Sequence, residues 1–145
     1  MNARETRPPR SRDEIEAFIR TALDIPAHRT YGLECVSWAQ GEATLAFHAN
    51  EAALGPTGSV HGGVVAMLLE PAAVVALMPL LPADRYAATV DMHVQQLRPV
   101  RPGARVTLKG RVLRLGANLA FCEAYAEDDG KTCAAARLTK AIMRA

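Results

Sequence analysis

The sequence predicts an α+β domain in which one long helix lies against an antiparallel sheet. Two short segments of alternating apolar and polar residues come first, a long apolar segment opens at Gly62, and four longer alternating segments follow, separated by turns rich in glycine, proline and aspartate. A helix that is apolar on all sides needs to be enclosed, and a strand pair, a helix and then more strands place that helix on one face of a sheet. With 145 residues and 50% hydrophobic content, the chain has the size of a single domain with a substantial core.

The elements follow in order. Residues 1–10 carry positive charge with no apolar run behind them, which argues against a secretory signal and predicts a flexible arm ahead of one domain over 11–145. Ser11-Arg12-Asp13-Glu14 is a capping box, and Ile15, Phe18, Ile19, Ala22 and Leu23 recur at helical spacing, so an amphipathic helix runs from Arg12 to Leu23 and Pro26 ends it. Tyr31 to Trp38 and Glu42 to His48 alternate around Ala39-Gln40-Gly41 and read as a hairpin. The loop Asn50 to Ser59 leads into the long helix, and Leu80 to Arg85 leads out of it. Four strands follow near Tyr86–Leu97, Ala104–Leu115, Leu119–Asp128 and Thr132–Met143, turning at Pro99–Gly103, Gly116–Asn118 and Asp128–Lys131, in the order of a meander.

Composition narrows the function. Seventeen basic residues against fifteen acidic ones give a net charge of +2, too little for a nucleic-acid surface, and basic patches interleaved with aromatics are absent. Cys35, Cys122 and Cys133 are odd in number and widely spaced, which indicates neither a disulfide framework nor a zinc site and fits a reducing cytoplasm. His28, His48 and His93 show no ligand spacing, so no metal is expected. Val64 to Leu81 is long and apolar, but Glu70 and Pro71 near its middle and Pro79 near its end argue against a membrane span.

The chemistry concentrates in Gly58-Ser59-Val60-His61-Gly62-Gly63 and the helix behind it. The first N–H groups of a helix lack internal partners and carry the positive end of its dipole, so a glycine-lined start can hold a developing oxyanion. Further along the helix, Glu70 stands alone among apolar residues as a candidate base or nucleophile. Pro71 either kinks the helix and re-aims Glu70 or starts a second helix after a break. Gly62 and Glu70 are eight residues apart, about 12 Å along a helix, too far for one substrate carbonyl to touch both. Two such helices packed antiparallel about a two-fold axis would form two equivalent composite sites.

The sequence resembles the hotdog-fold acyl-CoA thioesterases of the phenylacetate-degradation type, from about Tyr31 to Met143. The resemblance rests on His61-Gly62-Gly63 followed by Glu70, on the strand Ala88-Thr89-Val90-Asp91-Met92-His93-Val94, and on Arg114-Leu115-Gly116-Ala117-Asn118-Leu119-Ala120-Phe121. It implies a hotdog fold, a curved antiparallel sheet wrapped around the central helix, with a homodimer joined edge to edge or a dimer of dimers. It also implies hydrolysis of an acyl-CoA thioester, CoA entering only as part of the substrate, with no other cofactor, nucleic acid or membrane partner.

In that frame Glu70 is the base or nucleophile, the Gly62 N–H the oxyanion donor, His61 an orienting residue beside the carbonyl and Thr89 a hydroxyl near the attacking water. Gly63 lines the helix start, Met67 the acyl wall, and Arg114, Gly116 and Asn118 the turn where the nucleotide of CoA would bind. One position departs from the pattern: several relatives carry an Asn or Gln in the loop ahead of His-Gly-Gly, where the nearest equivalent in this chain is Gly55, so that contact is missing or falls to Asn50, Thr57 or Ser59. Two other readings stand beside hydrolysis, a non-catalytic acyl-CoA or acyl-carrier binding module and an acyl-thioester hydratase or dehydratase.

Overall fold

The computed structural model describes residues 8–145. Helix α1 (Arg12–Leu23) begins at the capping box, with Ser11 accepting from the Glu14 N–H and Glu14 reaching back to the Ser11 N–H. Its apolar face, Ile15, Ile19 and Leu23, is buried. Pro26 does not simply stop the chain. It occupies the first turn of a short helix α2 (Pro26–Thr30), where its missing N–H has no helical partner to lose. Gly32, at φ 61°, then turns the chain, so β1 starts at Glu34 instead of Tyr31.

The sheet contains β1 (Glu34–Ala39), β2 (Glu42–His48), β3 (Arg85–Gln96), β4 (Arg105–Leu115), β5 (Leu119–Asp128) and β6 (Lys131–Arg144), in the spatial order β1-β2-β4-β5-β6-β3 with antiparallel neighbours throughout. The expected four-strand meander therefore holds only for β4 to β6. Because β4 takes the open edge of β2, β3 crosses to the far side and pairs with β6. The β3–β6 ladder shifts register between Thr89 and Asp91, leaving Val90 as an extra, 60% exposed residue.

Helix α3 (Gly62–Leu77) lies across the concave face of this sheet. It runs through Pro71 without a break, so the reading of two separate helices is not realised; the proline ring is buried, and the carbonyl of Met67 loses its usual donor. Small inward residues on β5 and β6, Ala120, Ala124, Ala126, Ala134 and Ala136, let the helix settle onto the sheet. The closest approach is at Gly110 of β4, where a Cβ would stand 2.2 Å from the Ala72 carbonyl oxygen. The least buried stripe of α3 is Gly63, Met67, Glu70 and Val74.

Residues 1–7 of the expected arm lie outside the described residues. Pro9 bridges to Pro82, and the Arg10 guanidinium donates to the carbonyls of Leu81, Pro82, Ala83 and Arg85 at 2.6–3.4 Å, so Arg10 is fixed where a free arm was expected.

Candidate active site

A tight loop delivers the chain to the start of α3. The Gly55 N–H donates to the Ser59 carbonyl at 2.8 Å, the Gly58 N–H to that of Gly55 at 3.1 Å, and Leu54 bridges to Val60. His61 then caps the helix: its Nδ1 accepts the Gly63 N–H at 2.9 Å. A backbone N–H can only donate, so the ring proton of His61 sits on Nε2, outside the cap. The His61 carbonyl takes the N–H groups of Val64 and Val65 at 2.9 and 3.3 Å. Among the described residues this leaves the Gly62 N–H without a partner, at the positive end of a 16-residue helix. Gln96, at the end of β3, packs against Gly62 and donates from Nε2 to its carbonyl at 2.9 Å. A cavity of about 370 Å³ lined by Gly62, Val65, Gln96, Leu97 and Val100 opens beside it.

The second cluster lies at Glu70, whose side chain is 35% exposed. Thr89 of β3 donates from Oγ1 to Glu70 Oε1 at 2.7 Å. Directly opposite Thr89 in the sheet is Lys140 of β6, which is fully buried. Its ammonium donates both to Glu70 Oε1 and, at 2.7 Å, to Thr89 Oγ1. Sequence reasoning placed Thr89 by an attacking water and passed over Lys140. The structure brings Glu70, Thr89 and Lys140 into one contact at the middle of α3 and keeps Gly62 and Gly63 at its start.

The remaining expected site residues fall in several places. Met67 is exposed one turn before Glu70 on the same stripe of α3. Gly55 could carry a side chain without strain, since a Cβ there would meet nothing closer than 3.5 Å. Asn50, one of the groups expected to replace the missing amide, is committed elsewhere, its Nδ2 donating to the Thr30 carbonyl at 2.7 Å, while Thr57 and Ser59 bond each other at 3.1 Å. The amide nearest the helix start is instead Gln96, which arrives from β3 and carried no signal in the loop sequence.

The turn at Arg114, Gly116 and Asn118 lies at the Glu70 end of the sheet, where Ala120 stands beside Lys140. The Gly116 N–H is spent on the Leu119 carbonyl at 2.8 Å, so it does not present the free donor expected for a phosphate. The arginines near it in sequence do not form a basic patch either. Arg98 donates to the Thr132 carbonyl, while Arg101, Arg105 and Arg111 pair with Asp128, Glu34 and Glu123.

A cavity of about 520 Å³ lies on the other side of the sheet, between Trp38, Glu42, Lys109, Arg111 and Tyr125, away from both clusters. Its floor is Glu123, almost completely buried. Burial alone would raise that carboxyl, but Tyr125, Arg111 and Arg137 outweigh it and hold Glu123 below the usual carboxylate range. This network is satisfied within itself. Cys122 is another buried group, its thiol pushed up to about 11 by desolvation.

A loop-capped helix start with an open N–H, an acid two turns further on, and a single helix in a curved six-stranded sheet can be compared with known proteins. The sequence pattern of the Thioesterase superfamily matches residues 57–135, which include both clusters except for Lys140. The chain belongs to the thioesterase superfamily. Its fold is the hotdog fold of that family.

Human acyl-coenzyme A thioesterase 13 is 30% identical over 109 residues, covering 72% of this chain and 76% of the human protein. A Haemophilus influenzae relative is 30% identical over 89 residues, and there the chain spans 64% of the relative's length. Among solved structures, a thioesterase from Haemophilus influenzae superposes with a TM-score of 0.82 at 21% identity, covering 96% of this chain and 94% of that one. A mutant form of the phenylacetic acid degradation protein PaaI from Thermus thermophilus superposes with a TM-score of 0.74 at 26% identity, covering 81% of this chain and 98% of that one. Relatives that are acyl-CoA thioesterases support thioester hydrolysis as the general chemistry of this superfamily member.

Proposed function

We propose that the protein hydrolyses an acyl-CoA thioester to the free acid and CoA, in a site shared between two copies of the chain. The observation that carries the reading is the pairing on one helix of an unclaimed Gly62 N–H with a half-exposed Glu70 carboxylate eight residues on. The thioester carbonyl oxygen accepts from the Gly62 N–H, where the helix dipole favours the charge that develops on it.

Glu70 Oε2, which accepts no hydrogen bond among the described residues, supplies the other half of the reaction. It takes a proton from water as the water oxygen adds to the carbonyl carbon; the C–S bond then breaks and the thiolate leaves with that proton. In the covalent form Oε2 itself adds, the thiolate leaves, and water cleaves the resulting anhydride.

One carbonyl cannot reach both groups across about 12 Å of helix, so the acid comes from the partner chain. Edge strand β3, with Tyr86 and Val90 exposed, offers the surface for such a pairing. The Met67 side chain and the apolar start of α3 suit an aromatic or medium-length acyl group.

Release of free thiol from phenylacetyl-CoA, benzoyl-CoA and hexanoyl-CoA tests the reading, with wild type set against Glu70→Gln. Gln keeps the shape of the side chain but provides neither base nor nucleophile, so turnover should fall by at least about 100-fold with KM little changed. Near-normal turnover in Glu70→Gln would remove the acid from the mechanism, and a wild type that binds these esters without releasing thiol would make the protein a binding module.

A further inference from the structure

A lysine with no exposed surface is an unusual occupant of a sheet face otherwise built from Ala134, Ala136 and Leu138. An apolar side chain would fill the same space without taking an ammonium out of water, and replacing buried ion pairs by hydrophobic residues of similar volume is often neutral or stabilising. Lys140 is therefore hard to explain by stability. Its contacts explain it better.

The hydrogen-bond directions are set by the atoms. An ammonium only donates, so Thr89 Oγ1 must accept from Lys140 Nζ, and its own hydrogen is left to point at Glu70 Oε1. Glu70 Oε1 thus receives two donors, Thr89 Oγ1 and Lys140 Nζ, and the three side chains close a ring. Both donors meet Oε1, and Oε2 accepts no hydrogen bond among the described residues. The family's sequence match ends at residue 135, before Lys140.

We infer that Lys140 is a positioning residue of the hydrolysis proposed above: with Thr89 it occupies Glu70 Oε1 and presents Oε2 as the one reacting oxygen. The inference rests on Glu70 being the acid of that reaction. Lys140 itself does not touch the substrate. Its positive charge balances the carboxylate from beneath, and its rigid tie to β6 aims the carboxylate outward from the helix.

The test uses the full chain with Lys140→Met, Lys140→Ala and Glu70→Gln, assayed by thiol release from phenylacetyl-CoA and hexanoyl-CoA alongside thermal unfolding. Lys140→Met should stay folded and melt within a few degrees of wild type, because the Glu70 side chain is 35% exposed and water can solvate its carboxylate once the ammonium is gone. Its kcat should fall by about 10- to 100-fold while KM stays within a few-fold, because a misplaced reacting group is penalised mainly in the transition state. Added ethylammonium should restore part of the kcat of Lys140→Ala, by refilling the vacated cationic position, and should do nothing for Glu70→Gln.

Wild-type kcat in Lys140→Met overturns the inference, as does a variant that unfolds or melts well below wild type, since either assigns the lysine to no role or to the fold. Failure of the underlying reading shows separately: in that case Glu70→Gln itself retains turnover. Loss in Glu70→Gln with full activity in Lys140→Met removes the lysine alone.

Discussion

If the site is shared, two dead proteins mixed together should regain activity. One parent carries Glu70→Gln, which keeps the Gly62 end intact. The other carries Gly62→Val, which keeps the acid. A Cβ at Gly62 would already stand 3.3 Å from Gln96 Nε2 and 3.4 Å from its amide carbon, so the valine methyls must push the Gln96 amide off the helix start and crowd the Gly62 N–H.

Random re-pairing of equal amounts makes half of the dimers mixed, and each mixed dimer has one site with both defects and one with none. About a quarter of all sites should then work, so specific activity should return to about 25% of wild type. The assay is thiol release after the parents are unfolded together and refolded, with differently tagged chains co-purified to prove that mixed dimers have formed. A mixed dimer as inactive as either parent would refute the reasoning, because it would mean that the N–H and the carboxylate act within one chain despite the roughly 12 Å of helix between them.

Two further outcomes concern the scaffold. Gly110→Ala puts a methyl 2.2 Å from the Ala72 carbonyl oxygen, which forces α3 away from β4; overpacking of this kind should lower stability by about 2–3 kcal/mol, read as a melting temperature lower by about 5–10 °C, and an unchanged melting temperature would show that the helix is not seated at Gly110. Hydrogen bonds from the Arg101 guanidinium hold the Asp128 carboxyl below its usual range. Its stabilising contribution is therefore complete above the unfolded value of about 4 and is lost as pH falls through the lower folded value. Denaturant titrations between pH 7 and pH 2.5 should show Asp128→Asn losing less stability on acidification than wild type, and parallel curves would contradict that.

Much of the scaffold was legible in the sequence because it is local. The capping box at Ser11 and Glu14 marks the start of α1, the alternation marks six strands, and uniform apolarity marks α3 as the enclosed helix. What escaped depends on partners distant in sequence. Nothing in β3 says that it pairs with β6, because that follows from β2 occupying the edge of β4. Pro71 reads as either a kink or a break, and the burial of its ring and its neighbours Ala72 and Ala73 against the sheet keeps one continuous helix running through it.

Glu70 and Gly62 stood out for their residue types, whereas Gln96 and Lys140 gain their meaning only across the sheet. Lys140 did leave a trace: Ala134, Ala136 and Leu138 set an inward parity on β6, and a lysine two residues on keeps it. An inward lysine needs an anion, and Glu70 is the one that meets it.

The single surplus residue in β3 sets how one strand can serve both the start and the middle of α3. Thr89 bonds Glu70 and Gln96 bonds Gly62, so both point toward the helix. They are seven residues apart, an odd interval, and a regular strand would turn one of them to the opposite side. Val90 inverts the phase midway, so that Thr89 faces inward before it and Met92, Val94 and Gln96 face inward after it. Removing that one residue would leave every other side chain chemically unchanged and still detach β3 from α3 at either Gly62 or Glu70. The working geometry thus depends on the length of this strand, by one residue, as much as on its composition.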